Sequence, residues 1–227
     1  MGKNSLILTL ILSFIMFSAK ASEGTRDNVE NQFKYRLGAE IEAKIIKGLK
    51  AYIAPELRYN DGFERFNLEG GLSYKTFKCI YWGASYRFDM YRYEGVTNNF
   101  TGKTEYDWET LHRYAFDVSY KDSFKRFTPS LRIRFNNYTD EQEQGEACLR
   151  YRAKLSYKIK KSRFTPSIYT EAYHDLSLNK IYKMRYGHGW AMKFGKFSTL
   201  SVDYKFDFFR LKYTNAHILS TGYKFAF

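Results

Sequence analysis

Arg132 and Arg134 lie one polar segment away from Arg150 and Arg152, and each pair has the i, i+2 spacing that puts both side chains on one face of a strand. If the two segments form a hairpin, four guanidiniums gather near one mouth of the structure, a grouping suited to gripping carboxylate or phosphate oxygens bidentately. Arg113, Lys183 and Arg185 enter on nearby segments, with Glu171 and Asp117 as the carboxylates placed to face them. Two readings follow. In one, Arg113, Arg132, Arg134, Arg150, Arg152 and Arg185 line a basic interior that draws in anions. In the other, the interior is filled by Arg–Glu and Arg–Tyr hydrogen bonds. Other chemistry is sparse: His112, His174, His188 and His217 belong to no nucleophile or metal motif, and neither G-x-S-x-G nor H-E-x-x-H occurs. His174 and Glu171 are three apart, which on a strand puts them on opposite faces, and His188 shares its face with Trp190. No catalytic residue, metal or cofactor is expected. A lipid hydrolase or acyltransferase is the least supported class.

The elements that must hold these arginines show a period of two. From Phe33 onward, apolar and polar residues alternate over eleven runs, within 33–44, 49–59, 65–75, 80–90, 114–120, 127–135, 147–157, 164–172, 182–192, 200–208 and 219–227. Their apolar faces hold 59 positions without one Asp, Glu, Lys or Arg. A chain that is 27% charged would place about 16 there by composition alone. Most runs are longer than the roughly 5–6 residues of a globular strand and match the roughly 9–11 of a tilted membrane-spanning one. A lysine or arginine at a bilayer midplane costs about 2–4 kcal/mol, which accounts for the missing charges. The predicted fold is an all-β, antiparallel up-and-down transmembrane barrel.

Composition agrees. Twenty-one Tyr, 20 Phe and only 3 Pro exclude collagen-like and Pro-rich disordered classes, and two Cys exclude a disulfide scaffold. Residues 6–17 form one apolar run, preceded by Lys3 and followed by Ser18-Ala19-Lys20-Ala21. That pattern reads as a signal peptide over 1–21, leaving a single barrel domain over 22–227. Removing Lys3 and Lys20 takes the formal net charge from +13 to +11. An exported basic chain meets membranes and polyanions, so nucleic acid is not an expected partner. On and beside the polar faces stand 21 Lys or Arg against 9 Asp or Glu.

Connections between runs alternate short and long, with long ones at 92–107, 137–146, 175–179 and 210–216. This matches the periplasmic turns and outer loops of an outer-membrane barrel and sets Phe227 at the periplasmic edge. Tyr114–Ser130 and Tyr151–Ser167 align without a gap and share Arg-Phe-Thr-Pro-Ser, so the hairpin is the repeating unit. Pro55 lies deep in the second run, where a bulge would have to accommodate it. Single-chain bacterial barrels have an even number of strands. About twelve are therefore expected, with residues 22–31 supplying an irregular one, and ten as the alternative. Cys79 and Cys148 fall near opposite ends and cannot bridge. The sequons at Asn99 and Asn137 fall in predicted outer loops.

Glu56-Leu57-Arg58, Leu72-Ser73-Tyr74-Lys75, Leu149-Arg150-Tyr151-Arg152, Phe164-Thr165-Pro166 with Glu171, and Gly222-Tyr223-Lys224-Phe225 resemble the bacterial barrel family known as domain of unknown function 2490. The resemblance covers most of the mature chain. It implies an outer-membrane barrel and supplies no catalytic or binding residues. The ending Tyr223-x-Phe225-x-Phe227 resembles the insertion signal read by the barrel-assembly machinery. The expected partners are that machinery, the outer-membrane bilayer, and anionic solutes or lipopolysaccharide. The expected role is a narrow anion-leaning pore or small anion site. The alternative is a closed barrel whose outer loops bind another surface component.

Overall fold

A computed structural model describes residues 30–60, 62–97, 104–138, 147–210 and 214–227. The expected signal peptide over 1–21, the sequon at 99–101 and the tips of three expected loops lie outside the described residues. Eleven strands form among the described residues: β1 Glu30–Ile46, β2 Leu49–Tyr59, β3 Phe63–Lys75, β4 Ile80–Thr97, β5 Thr104–Lys121, β6 Phe127–Tyr138, β7 Ala147–Tyr157, β8 Phe164–Asp175, β9 Lys180–Phe194, β10 Ser198–Phe209 and β11 Thr214–Ala226. Each contains one of the eleven alternating runs or all but its last residue.

The strands close into a barrel in which each pairs with its sequence neighbours and β1 meets β11. The ten hairpin pairings are all antiparallel. After ten reversals β11 points the same way as β1, so the closing seam is parallel. Its geometry agrees: the Phe227 N–H donates to the Glu42 carbonyl, and the Lys44 N–H donates to the Phe227 carbonyl. The Lys224 ammonium reaches Glu40 at 2.8 Å and Glu42 at 2.6 Å. One parallel seam lets an odd count close, so neither twelve strands nor ten is what the described residues form. Of residues 22–31, assigned by sequence to an irregular extra strand, Glu30 and Asn31 begin β1, and 22–29 lie outside the described residues.

The alternation sorts the wall as expected, with the ionic residues inside. Phe33 (63%), Trp82 (54%), Phe116 (61%) and Leu131 (57%) are exposed on the outer face. Glu171, Asn67 and Asp89 are almost fully buried on the inner one. A water-soluble fold does the reverse.

Two local differences have physical causes. Of residues 92–107, expected as a loop, 92–97 extend β4 and 104–107 extend β5, and pairing continues past Arg92↔Trp108 to Thr97↔Thr104. The residues there are polar enough to mask the period, and the Arg92 guanidinium lies 4.1 Å from the Tyr106 ring. The β8–β9 connection is a tight turn rather than a long loop, closed by the Asp175 carboxylate accepting the Ser177 and Leu178 N–H groups at 2.9 and 3.0 Å. Pro55 stays inside β2, where the ladder to β1 lapses between Gly38↔Glu56 and Ile41↔Ile53. A residue without an N–H leaves such a gap.

Candidate functional site: two ion-pair networks inside the barrel

The inner faces of β2 to β6 carry one connected network. Glu56 takes Arg58 at 2.7 Å and Arg87 at 3.2 Å. Arg87 also meets Asp89 at 3.0 Å and Glu69 at 3.7 Å. Glu69 gathers Arg113 at 3.2 Å and Arg134 at 3.3 Å, and accepts the Tyr52 hydroxyl at 2.8 Å. Asp117 accepts from Arg134 at 3.0 Å. Four guanidiniums thus meet four carboxylates. The sum is zero.

The inner faces of β6 to β10 carry the other. The Arg150 Nη2 donates to both Glu171 oxygens at 2.6 Å. Arg152 stands 3.3 Å from Glu171, Arg185 3.5 Å and Arg132 3.9 Å. Arg185 turns its other edge to Asp207 at 2.6 Å, and Lys183 lies 3.8 Å from the same carboxylate. Five cations share two carboxylates here. The surplus is three positive charges, in a region where Glu171 is 1% and Arg185 6% exposed.

Local structure explains how this crowding is held. β8 presents Tyr169, Glu171 and Tyr173 to the interior at i, i+2 and i+4, flanked by arginines of β7 and by Lys183 and Arg185 of β9. The tyrosine faces take part of the excess charge: Lys183 lies 4.0 Å from the Tyr173 ring, Arg150 5.1 Å, and Arg152 4.3 Å from the Tyr169 ring. Tyr173 donates to Glu171 at 3.0 Å. Gly187 is required beside this stack, because a Cβ there would collide with the Tyr169 ring. Arg132 faces Arg152 directly across the ladder, and Arg134 faces Arg150, an arrangement that is repulsive unless an anion bridges it. Among the described residues, the Nε atoms of Arg132 and Arg150 are buried without a hydrogen-bond partner. Arg36 of β1 and Lys205 of β10 add inward cations that make no ion pair among the described residues.

Of the six arginines singled out from sequence, Arg132, Arg150, Arg152 and Arg185 converge on Glu171, whereas Arg113 and Arg134 belong to the Glu69 network. The four hairpin guanidiniums sit well inside the strands, where Arg134 is 9% exposed, rather than at the barrel's mouth. Sequence reasoning missed Glu69 and Asp207 as partners. Asp207 could have been found by counting back from the tight β9–β10 turn, since Phe194↔Ser198 sets Arg185 opposite Asp207. All four histidines lie on the outer face, where His217 stacks on Phe33 at 4.9 Å and accepts or donates with Tyr204 at 2.6 Å. Tyr223, Phe225 and Phe227 lie on the outer side of the last strand at the end where the tight turns gather, 46%, 37% and 62% exposed.

Fold and site together define a closed all-β barrel with an apolar wall and an ionic interior whose charge is balanced on one side only. Residues 22–216 match the family described as Protein of unknown function (DUF2490), and the chain belongs to it. None of the curated proteins matches the chain. Its fold is similar to that of the KdgM porin solved in complex with disordered oligogalacturonate, at 12% identity and a TM-score of 0.48 over 77% of this chain and 90% of that one. A second KdgM porin structure gives 13% and 0.47 over 77% and 89%. The beta domain of the Bordetella autotransporter BrkA is similar at 11% and 0.42 over 73% and 79%.

Proposed function

We propose that the protein is an outer-membrane β-barrel, exported with residues 1–21 as a cleaved leader, whose interior admits and holds small anions at the Glu171 network. The exposed apolar wall supports the membrane location, since a contiguous belt of this kind in water would drive aggregation. In this setting Tyr223, Phe225 and Phe227 are the residues the barrel-assembly machinery would engage. The observation that carries the anion reading is the convergence of four guanidiniums on the single carboxylate of Glu171. A bound anion between the Arg132–Arg152 and Arg134–Arg150 pairs would relieve their repulsion and offer oxygens to the unpartnered Nε groups.

The test is conductance of the refolded chain in planar bilayers under a potassium chloride gradient, read beside its melting temperature in added phosphate. Expected are a reversal potential on the anion side and a phosphate-dependent rise in melting temperature. Both should shrink in Arg132→Gln/Arg152→Gln. Silent bilayers together with phosphate-independent melting would overturn the proposal.

A second reading, a closed barrel that docks another surface component, is favoured by the long β4–β5 hairpin, whose ladder runs on to Thr97↔Thr104. Lipopolysaccharide or a surface protein would then be the partner.

A further inference from the structure

The basic surplus of this chain is concentrated at one end of the barrel. The segments 44–50, 75–79, 121–126, 158–163 and 193–197 are the five turns at the end where Phe227 finishes, together with their flanking strand residues. They carry fourteen Lys or Arg, all exposed, against one carboxylate, Asp122. At the opposite end the described segments 30–34, 59–60, 62–65, 91–92, 106–109, 175–180 and 209–210 carry five cations and five carboxylates. The molecule is thus charged along its axis, basic at the turns.

The turns are also apolar. Phe77 and Phe124 are 66% and 67% exposed, and Ile45, Ile46 and Phe197 are exposed as well. Each of these residues lies within two positions of a lysine. The Lys125 ammonium lies 5.4 Å from the Phe124 ring and that of Lys196 5.3 Å from the Phe197 ring. A merely solvated rim needs charges but no exposed phenylalanine at its tips. An acidic soluble partner would pair with the lysines and leave the rings in water. Rings with adjacent ammonium groups fit a membrane interface, where the ring enters the acyl boundary and the cation meets phosphate.

We infer that the turn rim is a binding ring for anionic phospholipid headgroups of the leaflet that surrounds it. This rests on the membrane reading above and adds which end, which headgroup charge and which residues. Each surface lysine strengthens attraction to an anionic leaflet, and the five turns together ring the barrel, so retained lipid is expected to be enriched about tenfold in the anionic species.

The test folds the full chain into phosphatidylcholine vesicles with and without phosphatidylglycerol, then reads retained lipid by native mass spectrometry. The wild type should keep phosphatidylglycerol over phosphatidylcholine. The variant Lys78→Gln/Lys125→Gln/Lys160→Gln/Lys161→Gln/Lys196→Gln should fall to near parity, and Phe77→Ser/Phe124→Ser should lose part of the preference. Arg65→Gln/Lys180→Gln/Arg210→Gln at the other end should leave it unchanged, and high salt should abolish it in the wild type. Equal retention by wild type and lysine variant would overturn the inference, as would capture of soluble polyglutamate that vesicles do not compete away. A chain that inserts into neither vesicle overturns the membrane reading itself. A chain that inserts into both but shows no headgroup preference overturns only the rim.

Discussion

The Glu69 and Glu171 networks both pair guanidiniums with carboxylates on the same inner wall, and they balance differently. Around Glu69, four carboxylates answer four guanidiniums, and each arginine has a partner within 3.3 Å. Around Glu171, two carboxylates answer five cations, and tyrosine faces carry part of what is left. A balanced buried network behaves as filler, because breaking it strands a charge and nothing is gained by adding one. An unbalanced one keeps capacity for an anion. On the proposed reading, the contrast sets filler on one side of the interior and the anion site on the other.

The sharpest way to break this contrast is Glu171→Gln. It leaves Asp207 as the remaining carboxylate for five cations, and a loss of about 3–5 kcal/mol is expected from the denaturant midpoint in detergent micelles. Phosphate should restore part of that loss. Failure of phosphate to do so would remove the distinction between the networks. Next in size is the pair Arg134→Met and Arg132→Met. The first strands Asp117 and should cost about 3 kcal/mol, whereas the second removes a surplus cation and should stay within about 1 kcal/mol of the wild type. Equal costs would argue against a surplus. Glu69→Gln should cost about 1–2 kcal/mol, with Asp89 and Glu56 still serving Arg87 and Asp117 still serving Arg134, and phosphate should not restore it. The smallest effect concerns thiols. Cys148 is buried and Cys79 half-buried, and both are free. Maleimide should label Cys79 first, and Glu171→Gln should speed Cys148, which shares its strand face with the Glu171 partner Arg150, without changing Cys79.

Much of this was legible in the residues because a barrel wall translates period directly into place. Every alternating run became a strand, and the face free of charge became the exterior. What escaped depends on curvature and closure. Glu69 of β3 reaches Arg134 of β6 only because the wall bends the intervening strands inward, and no spacing in the chain reports that bend. The β4–β5 extension escaped because its outer half is polar, so the apolar signal faded while backbone pairing went on. The odd count among the described residues escaped for a related reason. Closure is a relation between the first and last strands, and nothing in Phe33–Ala43 or Leu219–Phe227 says that their directions agree. By contrast, the pairing of Arg185 with Asp207 was countable from a tight turn, and Arg150 with Glu171 nearly so.

The parallel seam also has a kinetic consequence. Lys224 and Glu40 are 184 positions apart, whereas every other strand pair is joined by a local hairpin. Hairpins can zip one onto the next at small entropic cost, but this contact must wait for the whole ribbon to curl. β1 is held on that side by the slightly weaker parallel ladder and on the other by a ladder that lapses at Pro55. Hydrogen exchange should therefore reach β1 first, and a refolding chain should pass through an open, ten-hairpin sheet whose last event is the joining of its two free edges.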